Sequence, residues 1–381
     1  MSFRALGLAV SLTAFATFPA LAQSASANDG AFANAEGGRI WYQTCGSGPR
    51  VMVLIHDGTL HSAAWDDVWP IFCKDFHVVR YDRRGYGRSP AATQPYSRTD
   101  DVAAVMHAAG VDHAVMVGAS AGGGIAVDFT LAHPKAVDRL VLVGPSISGL
   151  RYSQYFIRRV GEYVRQLQQG NMEAAIRENW LFAPGHDAAV GRAVALIKAN
   201  PQNLTHGDMA RLAPAAKPRL SSIQAQTLVL IGDNDVADNE GEAAVAEALI
   251  PHAHRIVVPD TGHLMYMEHP DVFARLVEQF VDARPHPDRE ASVRRYIESL
   301  EKGAPNYEEM AAAEAAEVRQ ELPQLLQLVK ELGPLKSVTY EHGTEDDADV
   351  YLVTFAHGRA EWTIGPLAPD GKVQKRSFRL F

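Results

Sequence analysis

Seven short runs of aliphatic and β-branched residues recur along this chain, and their rhythm limits what it can fold into. They are "RIWYQTC" (39–45), "RVMVLIH" (50–56), "FHVVRYD" (76–82), "HAVMVG" (113–118), "RLVLVG" (139–144), "TLVLIG" (227–232) and "HRIVVP" (254–259). The first alternates in polarity and stops at the turn Gly46-Ser47-Gly48-Pro49. The rest are almost continuously apolar, as strands covered on both faces must be. Helical patterns separate most of them, so the strands pair in parallel through right-handed crossovers, and the fold class is α/β.

Two regions break the rhythm. Between Pro145 and Ser222 there is no strand pattern, only helical segments: "YSQYFIRRVGEYVRQLQ", "NMEAAIRENWLF", "DAAVGRAVALIKAN" and "HGDMARL". An insertion of that size must stand outside the sheet, so residues 146–222 are expected to form a helical lid over a core made of 31–145 and 223–283. After the linker "RPHPD" comes a second, α+β module at 286–381. In it Val293, Tyr296, Ile297 and Leu300 share a helix face, Gly333-Pro334 stops a later helix, and four alternating segments read as an antiparallel meander. Turns are expected at His357-Gly358 and Pro369-Asp370-Gly371-Lys372.

Within "HAVMVGASAGGGIAV" a serine stands in Gly118-Ala119-Ser120-Ala121-Gly122, directly after a strand and before a helical pattern. That strand-to-helix setting makes the Gly-x-Ser-x-Gly pattern informative, because a sharp turn there projects the hydroxyl from the sheet edge. A serine hydroxyl needs a base to take its proton and a carboxylate to orient the base. Both follow strand ends: "DNDVADN" after "TLVLIG", and "DTGHLMYMEHP" after "HRIVVP". His263 is the base among fifteen histidines, since it lies between a strand end and the helix starting near Pro270. Asp235 is preferred to Asp233 as the acid, because it lies further along the loop, where a side chain can curl toward the histidine. No carboxylate follows the preceding strand, which ends in Gly144-Pro145-Ser146. Two oxyanion donors are expected, the N–H of Ala121 at the helix start and that of Gly58 in "HDGT".

The formal charge of −9 comes without any basic run, which argues against a nucleic-acid partner. Arg4, the apolar run Ala5–Phe18 and Ala20-Leu21-Ala22 read as a secretory signal (1–22) cleaved after Ala22, too short for a membrane span. No later segment is apolar enough to cross a bilayer, so a secreted or periplasmic protein is expected. The two cysteines, Cys45 and Cys73, match no zinc motif; in an oxidising compartment such a pair can close a disulfide or stay as two buried thiols.

Taken in order, "VLIHDG", "VVRYDRRGYGRS", "VMVGASAGGGIAVDFTLAHP", "RLVLVGP", "TLVLIGDND" and "DTGHLMYMEHP" resemble the α/β-hydrolase superfamily over residues 31–283, and more closely its lid-bearing esterases, enol-lactonases and carbon–carbon bond hydrolases. The resemblance implies Ser120 as nucleophile, Asp235 as acid and His263 as base. It also implies an eight-stranded, mostly parallel sheet in which the edge strand ending at Cys45 lies antiparallel to the one beginning at Phe76. That neighbourhood in turn implies a Cys45–Cys73 disulfide. One departure is Asp57, where such proteins commonly carry glycine after the histidine. A carboxylate there opposes an oxyanion, so Asp57 is expected to turn away and pair with Arg83 or Arg84, or else to contact substrate. A serine nucleophile argues against epoxide hydrolysis and dehalogenation. The C-terminal module resembles small α+β domains appended to some serine hydrolases.

The expectation is a secreted, cofactor-independent serine hydrolase of carboxylic esters or lactones, with Trp180, Phe182 and Tyr155 among the lid aromatics lining its pocket. Alternatives are carbon–carbon bond hydrolysis, prolyl aminopeptidase activity with Glu162, Glu173 or Glu178 holding the amine, and a non-catalytic binding module. Oligomeric state is not written in the sequence.

Overall fold

The computed structural model describes residues 30–205, 207–282, 286–344 and 347–380. The expected signal segment 1–22 and part of the linker before Pro287 lie outside these residues. The first unit runs β1 (Ala31–Ala35), β2 (Gly38–Cys45), β3 (Arg50–Ile55), α1 (Trp69–Phe72), β4 (Phe76–Tyr81), α2 (Arg98–Ala108), β5 (Ala114–Ala119), α3 (Ala121–Ala132) and β6 (Val137–Val143). An excursion outside the sheet carries α4 (Gln154–Gln168), α5 (Met172–Arg177) and α6 (Asp187–Ala199). The chain returns through β7 (Gln226–Gly232), α7 (Ala237–Leu249), β8 (Ala253–Val258), α8 (Met265–Glu268) and α9 (Pro270–Asp282). The second unit has α10 (Pro287–Glu301), α11 (Ala312–Leu332), β9 (Leu335–Gly343), β10 (Asp349–Phe355), β11 (Arg359–Ile364) and β12 (Arg376–Leu380).

The large sheet has the order β1-β2-β4-β3-β5-β6-β7-β8. From β4 to β8 all pairings are parallel, and β1 and β2 add antiparallel strands. The period of two sorts each apolar run into two cores. Val53, Ile55, Met116, Leu140, Leu142, Val229 and Ile231 face one side. Met52, Leu54, Val115, Val117, Val141, Leu228 and Leu230 face the other. A run that serves two cores has no polar face to show, which is why these strands read as continuous hydrophobic stretches.

Two expectations need correcting. The strand ending at Cys45 is not the edge, because β1 pairs outside it through a hairpin at Glu36-Gly37. The β1 segment "AFANA" has little β-branched content and one outward Phe32, so its pattern is faint. Residues 207–212 are not helical; Ala210 bridges to Tyr96, with the Arg211 N–H donating to the Tyr96 carbonyl at 2.7 Å. Cys45 faces Val78 across β2 and β4, and it is disulfide-bonded to Cys73, which follows α1, with Cα atoms 5.5 Å apart.

In the second unit α10 and α11 cover one face of the antiparallel sheet β12-β11-β10-β9. Val293, Tyr296, Ile297 and Leu300 are buried together against Tyr351, Val353 and Trp362. Gly333 ends α11 at φ +75, a left-handed position that glycine fills without strain. This unit meets the large sheet near the start of β7 and β8. Gln226 donates to the Tyr340 carbonyl at 2.6 Å, and His252 Nδ1 is 3.0 Å from Glu341 Oε1.

Candidate active site

The loops at the carboxyl ends of β3, β5, β6, β7 and β8 converge on one cavity of about 410 Å³. Ser120 stands at the turn from β5 into α3 with φ +52 and ψ −119, a conformation that costs a non-glycine residue energy and persists only when the surroundings enforce it. The enforcement is visible. The Ser120 N–H donates to the Val143 carbonyl at 2.8 Å, and its carbonyl accepts from the N–H groups of Gly124 (3.1 Å) and Ser146 (3.0 Å). The glycines around it are there for close approach: a Cβ on Gly122 would lie 2.3 Å from the Ile55 carbonyl oxygen, and one on Gly118 would lie 2.4 Å from that of Gly122.

Asp235 and His263 meet across the β7 and β8 loops, with His263 Nδ1 2.6 Å from Asp235 Oδ2. The other carboxylate oxygen accepts from the Val236 N–H and from Asn239 Nδ2, each at 2.7 Å. The carboxylate thereby holds its orientation, and the neutral ring carries its proton on Nδ1, leaving Nε2 as an acceptor. Burial presses the His263 pKa down, but the charge and hydrogen bond of Asp235 outweigh it, helped by Asp57 and Glu242, and the net shift is upward. Asp233 is exposed and stays with its own turn, accepting from Asn234 Nδ2 and the Thr261 N–H. Ser120 and His263 line the same cavity.

Gly58 and Ala121 are neighbours: a Cβ on Gly58 would sit 3.5 Å from the Ala121 methyl group. Ala121 is the first residue of α3, where backbone N–H groups have no partner inside the helix and the dipole favours negative charge. Asp57 does not spoil this corner. Its Oδ1 accepts from the N–H groups of Thr59 (2.6 Å) and Leu60 (3.0 Å), and Tyr266 OH donates to Oδ2 at 3.4 Å. Neither expected arginine pairing forms at its carboxylate. Arg83 donates to the Asp57 carbonyl at 2.9 Å, and Arg84 is clamped on Asp101. Beneath the loop His56 donates from Nδ1 to the Asp57 carbonyl (2.8 Å) and accepts the Arg83 N–H on Nε2 (3.0 Å). Burial, with Arg83 adding to it, holds this imidazole well below its usual pKa, so it braces the loop in neutral form.

The roof comes from the excursion between β6 and β7. Tyr152, Phe156, Val160 and Tyr163 point down from α4 and its approach, and Trp180 packs on Phe156 with ring centroids 5.1 Å apart. Trp180 lines the cavity, while Tyr155 and Phe182 do not. Tyr155 lies on the outer face of α4, 56% exposed, against Arg159. Phe182 is buried with its backbone against Gly262, where a Cβ would come within 2.7 Å of it. The aromatic content of this segment was readable, but the register of α4 against the sheet was not.

Several contributors carry no sequence signal of their own. Glu268 accepts the Ala183 N–H on one oxygen (2.6 Å) and the Gly262 N–H on the other (2.8 Å), stitching roof to histidine loop. Glu242, on α7, accepts the Ile147 N–H at 3.1 Å, and burial pushes its carboxyl up to about 7. Gly144 has φ +46, and a Cβ there would lie 2.7 Å from His263 Nδ1 and 3.3 Å from Asp235 Oδ2. Gly144→Ala should displace the imidazole and strain the backbone, lowering kcat by about 10- to 100-fold and stability by more than about 1 kcal/mol. Steady-state kinetics and a thermal melt read both; unchanged kcat would mean that the ring has room the geometry denies it.

A parallel sheet with a serine elbow at its carboxyl edge defines an α/β hydrolase, an enzyme class. Residues 50–270 match the alpha/beta hydrolase fold family, and the chain belongs to it. The pimeloyl-[acyl-carrier protein] methyl ester esterase of Edwardsiella ictaluri is 25% identical over 262 residues, covering 64% of this chain and 98% of the relative. The 2-hydroxy-6-oxononadienedioate/2-hydroxy-6-oxononatrienedioate hydrolase of Escherichia coli K12 is 27% identical over 276 residues, covering 65% and 92%. Among solved structures, Est816, described as an N-acyl homoserine lactone degrading enzyme, aligns with a TM-score of 0.55 at 28% identity, covering 66% of this chain and all of its own. The C-terminal unit lies beyond the family match.

Proposed function

We propose that the protein hydrolyses a neutral carboxylic ester or lactone through an acyl-enzyme on Ser120. The substrate carbonyl sits over Ser120; as Oγ attacks, its proton passes to His263 Nε2, and the N–H groups of Gly58 and Ala121 hold the oxyanion. The imidazolium then returns the proton to the departing alkoxide, and water, deprotonated by His263, releases the acid and restores the serine. The observation that carries this reading is the 2.6 Å His263–Asp235 contact bordering the cavity that Ser120 also lines.

The roof chemistry supports the choice of substrate. Among the described residues, no lysine or arginine lines the cavity, and Arg83, in the adjoining pocket beyond Thr59 and Tyr163, is engaged by the Asp57 carbonyl, so at least one carboxylate of a dianionic carbon–carbon cleavage substrate would be buried without a cation. Nor do the acidic residues suggested for a prolyl amine line it. Glu162 is paired with Arg165, Glu173 with Arg177, and Glu178 is exposed. The apolar wall of Phe156, Val160, Tyr163 and Trp180 suits an acyl chain or a lactone's substituent. A panel of short and long acyl esters, lactones, dianionic ketones and prolyl amides, run on wild type and Ser120→Ala together, tests this. Turnover confined to neutral esters and lactones is expected; faster turnover of prolyl amides or dianions would refute the substrate assignment.

Among the described residues no helix is long and apolar enough to cross a membrane. We also propose export to the periplasm or beyond, on the strength of the N-terminal segment and of a disulfide that persists in oxidising compartments. The intact mass of the exported chain should then start at Gln23; a mass that retains Met1 would speak against export by this signal.

A further inference from the structure

Three side chains that take no part in this chemistry converge outside the cavity, from three separate stretches of chain. His186 immediately precedes α6 in the roof, Asp260 lies in the loop between β8 and His263, and His269 joins α8 to α9. His186 Nε2 and His269 Nε2 each lie 3.5 Å from the same oxygen, Asp260 Oδ2, and one donor atom from each of the three residues falls within 4.8 Å of the others. His186 Nε2 also stands 3.1 Å from the Asp260 carbonyl oxygen. The two imidazoles face each other edge-on, with centroids 4.8 Å apart. Asp260 is held at φ +56, one of few non-glycine residues in the left-handed region among those described.

The spacing is the informative quantity. A distance of 3.5 Å is long for a charge-assisted hydrogen bond, which closes to about 2.7–2.9 Å. It is close to the edge of a tetrahedron around zinc, where donors about 2.0–2.1 Å from the ion stand roughly 3.4 Å apart. Two imidazoles and one carboxylate are borderline donors that suit zinc and its first-row neighbours; calcium and magnesium want all-oxygen shells. Glu268, beside His269 in the chain, is already committed to the Ala183 and Gly262 N–H groups, and Asp187, beside His186, is paired with Arg177, which leaves a fourth position for water.

We propose that His186, Asp260 and His269 form a surface zinc(II) site that ties the roof to the histidine loop, the proton that His186 Nε2 shares with the Asp260 carbonyl moving to Nδ1 as the metal takes its place. Zinc here joins the start of α6 to residues on both sides of His263, reinforcing the tie that Glu268 makes through backbone alone. Ligands drawn from positions 186, 260 and 269 have no sequence spacing to betray them, so the absence of a zinc motif around the cysteines said nothing about this site.

The test uses the full mature chain after chelator treatment, titrated calorimetrically with zinc chloride and, separately, with cobalt(II) chloride, whose visible absorption distinguishes tetrahedral from octahedral coordination. The expected result is one saturable equivalent, tetrahedral cobalt bands, and a Tm raised by about 3–8 °C at a hundredfold excess over Kd. Each of His186→Ala, Asp260→Asn and His269→Ala should weaken binding by at least about 10-fold. Asp260→Asn is the control for folding, since asparagine tolerates the left-handed backbone and differs mainly in charge. His113→Ala, at an exposed imidazole paired with Asp138, should leave binding unchanged. Binding that fails to saturate below about 1 mM, octahedral cobalt alone, or an equivalent that survives all three ligand substitutions overturns the proposal.

Discussion

Ser120→Ala is expected to lower kcat/KM for the best ester substrate by about 10⁴- to 10⁶-fold while leaving the folded protein intact. The size follows from what one oxygen does in the proposed mechanism: it is the atom that bonds to the acyl group, and alanine offers no atom in its place. The preservation of fold follows from the local structure. Ser120 makes no side-chain cap on α3, and its strained backbone is held by its own N–H and carbonyl bonds to Val143, Gly124 and Ser146, all of which alanine keeps. The melting temperature of the variant should therefore stay within about 2 °C of wild type. Retention of wild-type turnover by a correctly folded Ser120→Ala would remove the nucleophile from this account.

Asp235→Asn should cost about 10⁴-fold in kcat and also move the pH profile. His263 must be neutral to accept the serine proton, so activity rises through the ionisation of the imidazolium. Burial disfavours the cation, yet Asp235 lifts the His263 pKa above its usual 6.5, which places the acid limb of the wild-type profile above that value. With asparagine the opposing charge is gone while burial remains, so the limb should shift to lower pH as the plateau falls. Stability carries the same sign. A histidine whose pKa is raised on folding contributes stability that is fully present below the unfolded value near 6.5 and is lost as pH rises through the folded one. Wild type should thus lose more stability than Asp235→Asn between pH 6 and 8. Asp233→Asn, at an exposed turn residue, serves as the comparison; if it shifts the limb and Asp235→Asn does not, the acid has been misassigned.

Much of the architecture was legible because burial on both faces leaves a strong mark. The strands from β3 to β7 cannot show a polar face without opening one of two cores, and their runs of valine, leucine and isoleucine say so directly. The short alanine-rich β1 shares neither constraint, and the strand after it was read as the edge. Local chemistry was equally readable where one residue type does one job. The serine elbow announces itself through glycines that admit neighbouring carbonyls, as Gly122 admits that of Ile55. What did not show was anything set by the packing of one loop on another. Tyr155 and Tyr163 both lie on α4, yet only the second faces the cavity, because the turn of α4 relative to the sheet decides it. Asp57 looked like a threat to the oxyanion until its oxygens were seen to be occupied by Thr59, Leu60 and Tyr266. Glu268 and Gly144 act by geometry alone, one through two backbone N–H bonds and the other by having no side chain to push His263 aside.

The most direct test of the central claim is covalent. A fluorophosphonate reacts with a serine that has been made nucleophilic by an imidazole and leaves a stable phosphonyl adduct. After a brief incubation of the folded protein near pH 8, digestion and mass spectrometry should place one adduct on Ser120, with labelling abolished in Ser120→Ala and strongly slowed in Asp235→Asn. Folded wild-type protein that takes up no label, or that carries it on another serine, would contradict the account.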